Sequence, residues 1–188
     1  MRPGAFVQAP AEPLLRTRRF GLWLPQAGDV PAMCRLLRED STRRFLGPAS
    51  PAPAAQYERL SRNAGSWALH GYGTFAVRPH GSDEVVASCG VFHSWRGYGE
   101  GLDDVPEAGW IVREDWTGKG VAREAMDAVL VWFDATHGAR RIACMIEQGN
   151  APSERLAAAL GFTPYGEHRL EDGAVLTLLE RGASSACN

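Results

Sequence analysis

The chain has 188 residues, 45% of them hydrophobic and 22% charged, with a formal net charge of −2. That is the composition of an ordinary globular protein, and the length suits one domain with a sizeable core. The slightly acidic balance argues against a general nucleic-acid binder, whose affinity would lean on a basic surface. Cys34, Cys89, Cys144 and Cys187 stand far apart with no CxxC pairing, so neither a metal site nor a disulfide framework is expected.

Residues 1–13 are rich in Pro and Ala and read as a loose leader without a continuous apolar stretch. A single domain is expected over 14–181, followed by a loose tail over 182–188. No run is long enough to span a membrane, so a soluble, cytoplasmic protein with no membrane partner is expected.

In chain order, a short strand is predicted around Phe20–Leu24. A helix follows, with Asp29 as its N-cap and Pro31 in its first turn. The prolines of "LGPASPAPAA" interrupt regular structure. Helical spacing resumes through Tyr57 and Leu60, with Gly65 as a possible stop. From "GYGTFAVRP" the texture turns to β: Phe75 and Val77 alternate, "PHGSD" is a turn, and "EVVASCGVFH" is a second strand. "SWRGYGEGLDDVP" reads as a polar loop and "EAGWIV" as a third strand. A long helix then runs to about His137, with Gly138 just past its end. "RRIACMI" is a strand and "NAPSERLAAAL" a helix ended by Gly161. Two last strands flank Asp172-Gly173, a hairpin signal. The pattern is that of an α/β domain.

Gly118-Lys119-Gly120 stands directly before the long helix. Glycine weakens a helix, so two at its entrance mark a backbone that another group approaches closely. Amides at a helix N-terminus are unpaired and carry the positive end of its dipole, which suits a phosphate. The P-loop pattern fails because Gly120 follows Lys119. The dinucleotide pattern fails because Arg123 holds its third glycine position.

The order strand "GWIV", "TGKGVA", long helix, strand "RIACMI", then "NAPSERLAAALGF" resembles the GNAT superfamily of acetyl-CoA-dependent N-acetyltransferases, most closely its Rim-type branch. Gly120 and Ala122 match the two small positions of the family's R/Q-x-x-G-x-G/A signature, while Thr117 departs from its first. Asn150, Ser153, Leu160, Gly161 and Phe162 match a second block. The resemblance implies one α/β (α+β) domain with a mixed, mostly antiparallel sheet, splayed central parallel strands and flanking helices. It also implies acetyl-CoA as cosubstrate, no metal, and a monomer or homodimer.

Carried onto this sequence, the resemblance places the coenzyme A pyrophosphate on Thr117, Gly118, Lys119, Gly120, Val121 and Ala122. The pantetheine arm would lie along the main chain of Trp110, Ile111 and Val112. Asn150 would hold a pantetheine carbonyl, cap the next helix, or do both. Arg155 would reach the adenosine 3′-phosphate. Glu107 is the first candidate for proton removal and Glu167 the second. Ala157 stands where many members have a tyrosine acid, so Ser153 is the candidate for the leaving thiolate. His93 is a further possible relay. Trp95, Tyr98, Glu100, Asp103, Asp104 and Glu107 suit a cationic amine or form a solvated acidic loop, and Trp67 and Tyr72 line the cleft or belong to the core. The function implied is acetyl transfer to a primary amine by direct attack. The alternative is a CoA-binding sensor or interaction module without catalysis.

Overall fold

A computed structural model describes residues 11–182. Residues 183–188 of the expected tail, Cys187 among them, and the first ten residues of the expected leader lie outside the described residues. Strands β1 (Leu15–Arg16) and β2 (Phe20–Trp23) precede helices α1 (Val30–Leu36), α2 (Asp40–Arg43) and α3 (Pro53–His70). Then come β3 (Thr74–Pro79), β4 (Ala87–Trp95), β5 (Asp103–Val112), α4 (Val121–His137), β6 (Ile142–Glu147), α5 (Ala151–Ala159), β7 (Thr163–Arg169) and β8 (Val175–Arg181). The strands form one sheet in the order β1-β2-β3-β4-β5-β6-β8-β7. Every neighbouring pair is antiparallel except β5 and β6.

Residues on alternate sides of the strands feed separate core clusters, as the period of two demands. Phe75 and Val77 of β3 enter a large cluster with Val121, Ala125, Met126, Val129 and Phe133. Those α4 positions recur at helical spacing and form its buried face. Ala76, between Phe75 and Val77, turns to the other side and meets Met33 and Leu36 of α1 and Ile111 of β5.

Three local expectations change. Asp29 stands at the N-cap position of α1 but makes no side-chain cap there. Its carboxylate instead accepts from Arg78 Nη2 at 2.6 Å and from the Gln26 amide at 2.9 Å, because a buried carboxylate needs a charged partner more than a helix needs one cap. Gly65 does not stop α3, which runs on to Gly71, whose φ of 77° ends it in the left-handed region. The cost of an interior glycine, about 1 kcal/mol, is offset by the two residues that follow. There Ser66 Oγ donates to the Tyr72 carbonyl and accepts from the His93 amide, while Trp67 packs edge-on against Phe75. The polar loop before β5 is also shorter than expected, since β4 extends to Trp95 and β5 begins at Asp103.

Candidate active site

The parallel pair β5–β6 holds register only at Glu107 opposite Ala143. Beyond that point β5 stays paired to β4 through Val112, and β6 stays paired to β8 through Glu147. The two strands therefore part into a wedge, and on the β6 side Gly109–Val112 has no ladder partner among the described residues. A backbone edge left without partners in a protein interior invites an extended ligand with its own donors and acceptors. The wedge opens into a cleft of about 930 Å³, lined among others by Trp110 and Ile111 of β5, Ile146 and Glu147 of β6, and Asn150 and Ser153.

β5 leads through a short 3-10 turn at Glu114–Trp116 into the glycine segment and α4. Gly118 and Gly120 have φ of 76° and 75°. A Cβ on Gly118 would meet nothing within 4 Å, and one on Gly120 would lie 3.5 Å from Arg19 Nη2. Backbone conformation, not crowding within the protein, is thus what requires glycine here. No side chain caps α4. Among the described residues no hydrogen bond engages the amides of Gly118, Gly120, Val121 or Ala122. Thr117 is exposed, its Oγ1 donating to the Arg113 carbonyl at 3.3 Å. Lys119 is exposed and its Nζ lies 5.4 Å from the Trp116 ring centre.

Behind this loop Glu124 fastens β1 and β2 to the helix entrance. It accepts from Thr17 Oγ1 at 2.7 Å, from the Arg19 amide at 2.8 Å and from Arg19 Nε at 2.7 Å. Burial alone would raise its pKa, but the Thr17 and Arg19 hydrogen bonds outweigh burial and hold it below the usual range.

Asn150 caps α5, its Oδ1 accepting from the Ser153 amide at 3.3 Å. Ser153 Oγ accepts from Trp110 Nε1 at 3.2 Å, which ties α5 across the mouth of the wedge. Arg155 is exposed and makes no ion pair among the described residues. Ala157 is fully buried in the main core.

Glu107, 3% exposed, sits at the apex of the wedge and is held by Arg96. Nearby, the Cys144 thiol is pushed far up, first by burial and then by the Glu107 charge. Burial likewise raises Cys89, to about 12. Both are therefore protonated and poor nucleophiles. Glu167 is exposed on β7, accepts from Gln148 Nε2 at 2.9 Å, and is not among the residues lining the cleft. His93 does line the cleft, with Nδ1 2.9 Å from Tyr72 Oη and Nε2 3.0 Å from Asp104 Oδ1. Both ring nitrogens are thus engaged. Trp67 and Tyr72 belong to the core.

The acidic loop is exposed at Glu100 and Asp104, yet its carboxylates already have partners within the protein. Asp103 accepts from the amides of Gly97 and Gly99, Asp104 faces His93, and Glu100 faces His168 at 3.1 Å. Tyr98 stacks on His168 at 4.2 Å, and Tyr165 Oη donates to the Glu100 carbonyl. The cleft also contains residues that the sequence reading missed, among them Ser94 of β4 and Arg96 just after it, Glu147 at the end of β6, Glu58 of α3 and, on the same helix, the pair Arg59 and Arg62. The two arginines stand three apart, which places them on one helix face. That spacing was their only sequence signal.

Among the described residues no helix is long and apolar enough to cross a membrane. No group of three or more His, Cys, Asp or Glu among them is placed to hold a metal ion.

Family comparison identifies the fold that carries this wedge and glycine-built helix entrance. Residues 19–163 match the acetyltransferase (GNAT) domain model, and the chain belongs to the GNAT acetyltransferase family. It is similar to a protein described as a GnaT-family acetyltransferase from Bordetella pertussis, at 32% identity and TM-score 0.80, over 89% of this chain and 98% of that one. An acetyltransferase from Agrobacterium tumefaciens shares the fold at 21% identity and TM-score 0.74, over 96% and 98% of the two chains. The ribosomal-protein-S5-alanine acetyltransferase from Vibrio fischeri does so at 16% identity and TM-score 0.73, over 91% and 97%.

Proposed function

We propose that this protein is a cytoplasmic N-acetyltransferase of the Rim-type branch, moving the acetyl group of acetyl-CoA to a primary amine by direct attack in a ternary complex. The observation that carries this reading is the wedge after Glu107, continuous with the unpaired amides at the start of α4. The residues present fit the cosubstrate. Amides from Gly118 to Ala122 would take the pyrophosphate, with the helix dipole behind them. The free β5 edge at Trp110, Ile111 and Val112 would pair with the pantetheine amides, the Asn150 side chain would hold one of its carbonyls, and Lys119 and Arg155 are exposed cations for the outer phosphates. Acetyl-CoA would supply the activated carbonyl and the thiolate that departs.

Glu107 receives the amine at the apex. Each of its oxygens accepts one hydrogen bond from Arg96 and keeps a lone pair for the incoming N–H. Arg96 fixes the carboxylate, and a water carries the proton onward. Ser153 Oγ accepts from Trp110 and so keeps its own O–H to donate to the departing sulfur. With both buried thiols protonated, a covalent acyl-cysteine has no support. Glu167, outside the cleft, has no part in this scheme.

The test begins with thermal melting in acetyl-CoA, ATP and NAD. Ligand at a hundred times its Kd adds about 3 kcal/mol, so acetyl-CoA alone should raise Tm. Thiol release with a library of amines follows. A melt shift with no release for any amine would leave a CoA-binding sensor, which Ala157 in the usual tyrosine position and Thr117 in the usual Arg or Gln position favour. No shift would remove the cosubstrate assignment altogether.

A further inference from the structure

The charge on the α3 wall of the cleft has no internal answer. Arg59 and Arg62 line it together with Arg96. Arg96 is committed to Glu107, but neither Arg59 nor Arg62 has a carboxylate within ion-pair distance among the described residues. The four carboxylates of the facing loop that could have answered them are spent on Arg96, His93, His168 and two loop amides. Arg59 is half-buried. Burial first, then the charges of Arg62 and Arg96, hold its guanidinium below the usual pKa. Like charges gathered in a partly dry place are costly, and an anion arriving between them relieves the cost. A second sign points the same way. Ser94 also lines the cleft, is only 3% exposed, and its Oγ has no hydrogen-bond partner.

We infer that the acceptor amine also carries a carboxylate, which Arg59 and Arg62 bind while the amine is presented to Glu107. Guanidinium forks match a planar carboxylate through paired N–H groups. Glu58 and Glu147 also line the cleft, beyond ion-pair distance of either arginine, and their charge disfavours a phosphate dianion more than a single carboxylate.

The inference rests on the acetyltransferase reading, and its test separates the two. Thiol release is measured with amino acids beside their α-amides and decarboxylated amines, and with short peptides bearing acidic or neutral side chains. Carboxylate-bearing acceptors should exceed their neutral counterparts in kcat/KM by roughly 10- to 100-fold, the cost of losing a charge-assisted hydrogen bond. Activity confined to free amino acids assigns the α-carboxylate, and activity with acidic peptides assigns a side-chain carboxylate; either sustains the inference. Arg59→Gln and Arg62→Gln should each raise KM for these acceptors and narrow the ratio, with Arg59→Lys recovering part of it. Calorimetry should find their affinity for acetyl-CoA unchanged. Turnover with no carboxylate preference, a preference for phosphate-bearing amines, or weakened acetyl-CoA binding in the arginine variants overturns the inference and leaves the acetyltransferase reading standing. No acetyl-CoA binding by the wild-type protein removes both.

Discussion

Arg96 and Glu107 meet at the apex of the wedge through two hydrogen bonds, Nη2 to Oε1 at 2.6 Å and Nε to Oε2 at 2.9 Å. The β4–β5 register makes the contact: Phe92 stands opposite Glu107, and the turn back from Trp95 brings Arg96 over the strand below. Desolvation works against the Arg96 charge, but the Glu107 contact outweighs it and raises the guanidinium pKa, so Arg96 stays charged. The Glu107 carboxylate is where the two parallel strands separate, the one place both strands can address a group lying between them.

Glu107→Gln keeps the shape of the side chain and its acceptor for Arg96 but removes the charge that receives a proton. Turnover should fall by at least about tenfold, with the Kd for acetyl-CoA within about twofold. The measurement is steady-state thiol release beside calorimetry on the same preparation. Equal losses in binding and rate would show that the residue only holds the fold.

Gly120→Ala tests the helix entrance. Placing an L-residue in the left-handed region costs roughly 1–2 kcal/mol, and the same strain can be produced far from the site with Gly81→Ala, where φ is 74° and the added Cβ meets nothing. Both variants should lose Tm to a similar degree. Only Gly120→Ala should weaken acetyl-CoA binding, by about tenfold or more, because its Cβ stands where the phosphate must approach. Comparable binding in the two variants would dissociate the loop from the cosubstrate.

Ser153→Ala removes the hydroxyl while leaving the α5 cap, because Asn150 accepts from the Ser153 main-chain amide and not from its side chain. The expected effect is a fall in kcat of about tenfold or more, as for a lost proton donor, without a change in α5 stability. Trp110→Phe is the companion: it removes the N–H that Ser153 Oγ accepts. A Ser153→Ala enzyme with wild-type kcat would assign the thiolate's proton to solvent.

What could be read in the sequence is what the backbone alone determines. Gly118, Gly120 and Asn150 announce themselves because a positive φ and a helix cap each demand particular residue types at a given place. Strand and helix order followed from periodicity for the same local reason, and the splay between β5 and β6, anticipated from the family resemblance, is present in the sheet. The side-chain chemistry of the cleft was less legible. Whether Glu100, Asp103 and Asp104 attract an amine or serve their own loop depends on His168, two amides and His93, which the β4–β5 and β7–β8 pairings bring in from elsewhere. Arg59 and Arg62 look like any surface arginines until the opposite wall is in place. Gly65 was misleading because a local stop signal lost to the packing of Ser66 and Trp67.

The last expectation concerns pH. His137 closes α4 against Tyr72, Trp132 and Phe133, with ring centres 5.1, 5.4 and 5.2 Å away, and its buried Nε2 has no hydrogen-bond partner among the described residues. Burial first, then the charge of Arg140, lowers its pKa, partly opposed by its hydrogen bond with the Gly71 backbone. The fold therefore favours the neutral ring. Above the unfolded value of about 6.5 both states are neutral and the full contribution is present. As pH falls below that value the unfolded chain takes the proton first, and stability is lost until the folded pKa is passed. Tm should accordingly decline between about pH 7 and pH 5.5, before most carboxylates titrate. His137→Phe keeps the aromatic packing and removes the titration, so its decline should be shallower. The part that persists falls to His70, which burial and the neighbouring His93 also hold below the usual range. Parallel Tm–pH curves for the wild type and His137→Phe would show that the buried ring takes no part in the acid sensitivity of the fold.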